Sequence, residues 1–338
     1  MKIKQISVSM IPVLISLLSL QCFSAPQNRG ESYKKNDYWF RYQHFYSEEL
    51  RFDKNNFPKE EFKELNGHHL HIDRYFSEKK NSNCKIIMVH GAGGNGRVLG
   101  NFAIGLKYLN CEIIAPDLPG YGHSVPNANK QTLYEDWVST MSEFINSEKK
   151  ENAKVYLFGL SMGGMLAYHI AAFNGRVDGV IATTLIDPRD QDVRDTISKN
   201  LFLSRIGIPI NHAFTLITSD FRFPIKWFTK MELITNDPNF SQVFENDPYA
   251  GGSVVSLGFL NSYMYYNPKI EPESFETCPI LLLHPSLDPW TPVNLSETFF
   301  NKIKTKKRFL LLEGAGHLPY EEPGKSQLFQ EVQNFVNE

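Results

Sequence analysis

The chain has no surplus of either charge: 35 Lys and Arg stand against 37 Asp and Glu, a net charge of −2. No stripe of cations stands out, which argues against a nucleic-acid partner. Cysteine is scarce, with four in 338 residues, and no internal repeat appears. A metal-ligand set is also missing. His68, His69 and His71 crowd one segment, and His69 and His71 would share a strand face. No cysteine or carboxylate set completes a site there, so no metal is expected. A membrane-spanning run is lacking too, since the one long apolar stretch, Ile6 to Leu20, is broken by serines and is short for a span of about 20 residues.

That stretch has another reading. Lys2 and Lys4 precede it, and Cys22-Phe23-Ser24-Ala25-Pro26 supplies small residues after it. This is the layout of a secretory signal peptide over 1–24, with cleavage after Ser24, so export is expected, to a periplasm or the exterior. An uncleaved membrane anchor is the alternative. Removal of the leader would leave Cys84, Cys111 and Cys278 in a compartment that permits disulfides. Cys84 and Cys111 each open an apolar run. If those runs are neighbouring parallel strands, the two thiols meet at one sheet edge, so a Cys84–Cys111 bridge is expected, with three buried thiols as the other possibility.

What is present is an ordinary globular composition, 42% apolar and 21% charged, with 25 Phe and 15 Tyr. Residues 25–62 are polar and aromatic without a clear period and read as an irregular extension. From Glu61 to Phe76 the pattern alternates around Asn66-Gly67, a hairpin signal. Apolar runs then recur at Lys85–Val89, Cys111–Ala115, Val155–Phe158, Val177–Ile186, Pro279–Leu283 and Lys307–Leu312. Helix-compatible segments separate them: up to Leu109, Thr132–Ser147, Met162–Phe173 and, last, Gly324–Val336. Strands apolar throughout and alternating with helices imply a parallel sheet covered on both faces. Residues 188–272 break the rhythm with many aromatics and short helical patterns, the mark of an inserted, mostly helical cap. The α/β core is thus divided into 63–187 and 273–338.

The chemistry-bearing stretch is Lys154–Gly164, where an apolar strand runs into Gly159-Leu160-Ser161-Met162-Gly163. A serine on a strained strand-to-helix turn needs small neighbours at Gly159 and Gly163. The turn presents Oγ, and the new helix offers unpaired N–H groups to a developing negative charge. Serine needs a base, and the base needs an acceptor on its other nitrogen. Asp288 and His317 follow later strands, in the chain order Ser, acid, His. All three fall past the carboxyl ends of strands, where open α/β sheets place their sites.

The chain resembles the α/β-hydrolase-fold serine hydrolases, most closely the monoacylglycerol lipase/lysophospholipase-like branch (serine aminopeptidase S33-type). The matching stretches are H-G-A-G-G at 90–94, D-L-P-G-Y-G-H-S at 117–124, G-L-S-M-G-G at 159–164, S-L-D-P-W-T-P at 286–292 and G-A-G-H at 314–317. The resemblance implies a mostly parallel eight-stranded sheet with a cap after strand six. It also implies a triad of Ser161, Asp288 and His317, with Asp187 as a competing acid. It places the oxyanion hole on the N–H groups of Ala92 and Met162, with Gly91, Gly93 and Gly94 letting the loop approach. His90 would brace that loop, and His123, His169 and His284 would be structural.

The expected activity is hydrolysis of carboxylic esters, with a monoacylglycerol, lysophospholipid or small ester as substrate and no cofactor. Peripheral membrane contact through the cap is a further expectation. Two alternatives remain. One is a proline iminopeptidase-like amide hydrolase using cap acids such as Asp220, Glu232, Glu245 or Asp247; the other is an idle binding module on the same fold.

Overall fold

Apolar runs too short for helices become the central sheet. The computed structural model describes residues 25–26, 29–76 and 83–338, so the expected signal peptide at 1–24 lies outside the described residues. The sheet opens with the hairpin β1 (Lys59–Leu65) and β2 (His68–Tyr75), turning at Asn66 and Gly67, both with positive φ. Then come β3 (Cys84–Val89), helix α1 (Gly100–Gly105), β4 (Glu112–Pro116), α2 (Tyr134–Glu148), β5 (Lys154–Gly159), α3 (Met162–Asn174) and β6 (Gly179–Ala182).

The cap follows. It holds α4 (Gln191–Ile197), α5 (Ile208–Ala213), α6 (Thr215–Thr218), β7 (Arg222–Pro224), α7 (Pro238–Asn246), β8 (Val254–Ser256) and α8 (Leu257–Met264). The core resumes with β9 (Ile280–Pro285), α9 (Val293–Lys302), β10 (Lys307–Leu312) and α10 (Gly324–Asn337). Among the described residues, eight strands form one sheet in the order β1-β2-β4-β3-β5-β6-β9-β10, parallel from β4 onward. This is the alpha/beta hydrolase fold, with a mainly helical cap after β6.

Three expectations needed adjustment. The apolar run from Val177 to Ile186 is a strand only over Gly179–Ala182; just beyond it the Thr183 amide still donates to the Gly159 carbonyl while its hydroxyl serves the serine loop described below. The segment up to Leu109 is α-helical only from Gly100 to Gly105. Ahead of it, Asn95, Gly96 and Arg97 are engaged by Tyr249, Asp117 and Asp73 instead of by a helix. The cap also contains a two-stranded antiparallel sheet, β7 with β8, whose three-residue strands left no alternation to read.

Cys84 opens β3, and Cys111 directly precedes β4 beside it; the two form a disulfide, and Cys278 is free and buried. Burial pushes the Cys278 thiol up to about 12.

The extension is neither formless nor separate. Strand β1 already begins at Lys59, inside its expected end. Upstream, 3₁₀ turns at Tyr33–Lys35, Tyr38–Phe45 and Glu48–Leu50 bury Tyr33, Trp39, Tyr42, Tyr46 and Leu50. Each large side chain removed from water contributes about 1.5–3 kcal/mol. The segment ties core to cap. Tyr33 Oη donates to Asp117 Oδ2 at 3.0 Å, and Lys325 Nζ to Ser47 Oγ at 2.9 Å. Tyr42 stacks on Phe240 of α7 and donates to Asp247.

Asp247 is itself a sensitive point. Burial raises its carboxyl from 3.8 to about 6, against the pull of the Tyr42 hydroxyl. A folded-state pKa above the unfolded value gives stability at low pH that is lost as pH rises from about 4 through about 6. Tyr42→Phe removes the donor that eases the charged form. It is expected to cost about 2 kcal/mol at pH 8 and distinctly less at pH 4. Thermal unfolding at the two pH values checks this, and equal losses would refute it.

Candidate active site

Strand β5 delivers the chain into a turn that only small neighbours allow. Ser161 has φ +56°, a left-handed conformation that costs a non-glycine residue about 1–3 kcal/mol. A Cβ on Gly159 would stand 2.1 Å from the Gly163 carbonyl oxygen, and one on Gly163 would stand 2.1 Å from that of Val89. Glycine is therefore required at both. The Thr183 hydroxyl accepts from the Ser161 N–H at 2.9 Å, and α3 begins at the next residue.

The structure brings Ser161, His317 and Asp288 together from three loops. His317 Nε2 lies 2.7 Å from Ser161 Oγ, and His317 Nδ1 lies 2.8 Å from Asp288 Oδ2. His317 and Asp288 are buried, while Ser161 keeps access to a pocket. Burial alone would raise the Asp288 carboxyl. The neighbouring His317 and the bonds from Thr291 overcome it and hold the group down at about 2. Trp290 N and Thr291 N donate to Oδ1 at 2.8 and 2.9 Å, and Thr291 Oγ1 donates to Oδ2 at 2.6 Å. A hydroxyl, an imidazole and a buried carboxylate stand in one line, an arrangement able to run acyl transfer.

Asp187, the competing acid, is elsewhere. It pairs with Arg189 at 2.7 Å, and Arg189 in turn pairs with Glu271. His123 faces Asn36, His169 faces Tyr134, and His284 faces the Pro285 carbonyl.

The glycine loop lies against the serine turn. Ala92 and Met162 line the same pocket as Ser161, and a Cβ on Gly91 would come 2.9 Å from the Leu160 carbonyl oxygen. Met162 starts α3, where the first amides lack helical acceptors. Gly94 N bonds back to the Gly91 carbonyl at 3.0 Å, and the Gly93 backbone approaches Gly251 of the cap. His90 sits beneath, its Nδ1 3.0 Å from the Gly91 carbonyl and its Nε2 accepting from Leu118 N at 3.0 Å.

Behind the loop is a buried ionic network. Asp117 accepts from Gly96 N at 2.6 Å and from His123 N at 2.7 Å, and its Oδ2 lies 3.2 Å from His71 Nδ1. Burial opposes a charge on His71, yet the carboxylates of Asp117 and Glu60 hold its pKa up at about 10. Glu60, His71 and Asp73 are close enough together to hold a metal ion. Arg97 already fills that position, bonded to Asp73 at 2.6 and 2.9 Å and 3.3 Å from Glu60.

Two supporting residues escaped sequence reasoning. Thr291 stood unremarked inside the S-L-D-P-W-T-P stretch, and Thr183 was a hydroxyl at the end of an apolar run. The pocket at Ser161 is small, about 50 Å³, and lined by Tyr121, Ile186, Phe259, Tyr263 and Trp290 among others. Ile197, Thr229, Leu260 and Met264 line both it and a larger cavity of about 450 Å³ inside the cap, which Leu203, Phe223 and Trp227 also help to line.

The sequence pattern of the Alpha/beta hydrolase family matches residues 86–326, more than half of the chain. A thermostable monoacylglycerol lipase from Bacillus sp. (strain H-257) is 24% identical over 102 residues, 30% of this chain and 40% of the lipase. The chain thus spans about two fifths of the length of that curated relative. Among solved structures, a soluble variant of monoglyceride lipase from Saccharomyces cerevisiae, in complex with a substrate analog, superposes with a TM-score of 0.68 at 15% identity, covering 84% of this chain and 96% of that one. A monoacylglycerol lipase from Paleococcus ferrophilus gives 0.62 at 20%, covering 79% and 98%. A thermostable carboxyl esterase from Bacillus coagulans, in complex with glycerol, gives 0.62 at 15%, covering 82% and 97%. At such identities the likeness is one of fold.

Proposed function

This chain belongs to the alpha/beta hydrolase family, and on that premise we propose that it is a serine hydrolase of carboxylic esters, working through an acyl-enzyme on Ser161. The observation that carries the reading is the unbroken line from Ser161 through His317 to Asp288, opening on an apolar pocket. Ser161 attacks the ester carbonyl as His317 takes its proton. The tetrahedral oxyanion meets the N–H groups of Ala92 and Met162, each such donor typically being worth about 3–4 kcal/mol in the transition state. His317 then protonates the leaving alcohol, and water repeats the cycle.

The cap cavity supports an apolar acyl group. Its volume of about 450 Å³ falls among ligand cavities of about 300–1,000 Å³, whereas the space beside Ser161 is too small for a chain. A monoacylglycerol or lysophospholipid fits this shape better than a short ester. The amide reading lacks its anchor, because among the described residues no carboxylate lines the Ser161 pocket. Glu232 pairs with Lys199, Asp220 accepts from Gln131, and Asp247 is bound to Tyr42.

Export remains part of the proposal, supported by the leader-like sequence and by a disulfide that suits an oxidising compartment. Peripheral membrane contact is supported by a cap face that exposes Phe202, Ile210, Phe214, Leu216 and Ile217, with Leu216 97% exposed. Among the described residues no helix is long and apolar enough to cross a membrane.

A series of p-nitrophenyl esters from C2 to C16, beside a monoacylglycerol and an aminoacyl-arylamide, tests the reading. The expected result is kcat/KM rising by about tenfold or more from C2 to the medium chains, with no arylamide cleavage. Each buried methylene is worth about 0.8 kcal/mol, so a few suffice. No turnover of any ester would overturn it.

A further inference from the structure

Tyr121 and Phe259 line the Ser161 pocket and also a second cleft, of about 50 Å³, where extension, core and cap meet. Arg29 enters this cleft from the extension and Arg222 from β7, with Gln131, Thr132 and Ser256 around them. Arg29 is anomalous. Its Nε and Nη2 are buried without a hydrogen-bond partner, and among the described residues neither arginine makes an ion pair. Most other buried cations here are paired: Arg97 with Asp73 and Glu60, and Lys325 with Glu49 and Glu322. The two acids nearby in charge or contact are engaged, Asp117 with His71 and Tyr33 and Asp220 with Gln131. Burial lowers the Arg29 guanidinium to about 10, and Arg222 adds to the effect.

A desolvated guanidinium without a counter-charge is costly, and two facing one cleft repel. An anion relieves both costs. Guanidinium groups offer forked donors that match a phosphate bidentately, and a cleft of this size admits one tetrahedral group but no chain.

We propose that Arg29 and Arg222 form a phosphate-binding site beside the ester pocket, outside the catalytic machinery. The phosphate is either the headgroup of a lysophospholipid substrate or the free ion fastening cap to extension. The site itself stands apart from the ester-hydrolase reading; only its substrate arm rests on that reading.

The test uses the whole protein with inorganic phosphate as the probe and sodium chloride at equal ionic strength as the control. Phosphate is expected to raise the melting temperature saturably by about 3 °C, and Arg29→Gln and Arg222→Gln each to abolish the rise. Arg222 is exposed, so its variant keeps the fold if Arg29→Gln does not. The kinetic arm compares lysophosphatidate with a monoacylglycerol of the same acyl chain. A drop of about tenfold or more in kcat/KM for lysophosphatidate alone, in both variants, assigns the site to the substrate headgroup. Phosphate binding with unchanged kinetics assigns it to the free ion. Phosphate acting no differently from chloride, or raising the melting temperature of both variants as much as that of the unsubstituted protein, together with unchanged lysophosphatidate kinetics, overturns the proposal. Ester turnover with neither phosphate binding nor a lysophosphatidate-specific loss would remove this site alone, and phosphate binding without ester turnover would remove the hydrolase reading alone.

Discussion

Ser161→Ala is expected to lower kcat on a p-nitrophenyl ester by a factor on the order of 10⁶, leaving a folded protein that a fluorophosphonate no longer labels. The argument is local. Among the described residues Ser161 Oγ is the one hydroxyl bonded to His317 Nε2, at 2.7 Å, so no neighbour there can take over the attack. The fold survives because alanine suffers the same left-handed backbone as serine, and because the bond to Thr183 comes from the backbone N–H. An unchanged melting temperature with lost turnover separates chemistry from folding. Retained turnover in this variant would dismiss the mechanism.

Asp288→Asn should cost about 10⁴-fold in kcat at pH 7 to 8. The amide keeps the shape, but it can turn its NH₂ toward His317 Nδ1 and so hold the ring in the wrong tautomer. It also removes the charge that would stabilise an imidazolium. With its carboxyl held at about 2, Asp288 stays ionised over the working range. The sign of its stability effect follows. A folded-state pKa depressed below 3.8 gives stability that is present above about pH 4 and lost as pH falls toward 2. Asp187→Asn is the control, expected to change kcat by no more than a few-fold, since Asp187 is committed to Arg189. Profiles of kcat/KM between pH 5 and 9 for both variants check the assignment. A comparable loss in Asp187→Asn would transfer the role.

Much of the core is legible in the sequence itself. Runs such as Val155–Phe158 and Ile280–Leu283 are apolar at every position, which only a strand buried on both faces requires. The glycines around Ser161 announced a turn with no room for side chains. For Cys84 and Cys111 the sequence left a bridge and separate thiols both open; the bridge forms because the two stand at the same end of adjacent parallel strands. What stayed hidden depends on partners distant in sequence. Residues 33–50 fold as 3₁₀ turns whose buried rings follow no helical or strand period, so their aromatics looked irregular. Thr291 and Thr183 act through a few hydrogen bonds, which leave no pattern. The solitude of Arg29 is a property of its surroundings alone.

The extension also sets an order of events. Tyr42 waits for Asp247, 205 positions downstream, and Ser47 for Lys325, 278 downstream. Local ring contacts such as Trp39 with Phe52 form early, but these two ties wait for distant segments. Contacts of such sequence separation slow folding and leave apolar surface exposed until nearly the whole chain exists. The tie between Ser47 and Lys325 therefore forms only once α10 is present, and the segment that straps the cap is completed from the far end of the chain.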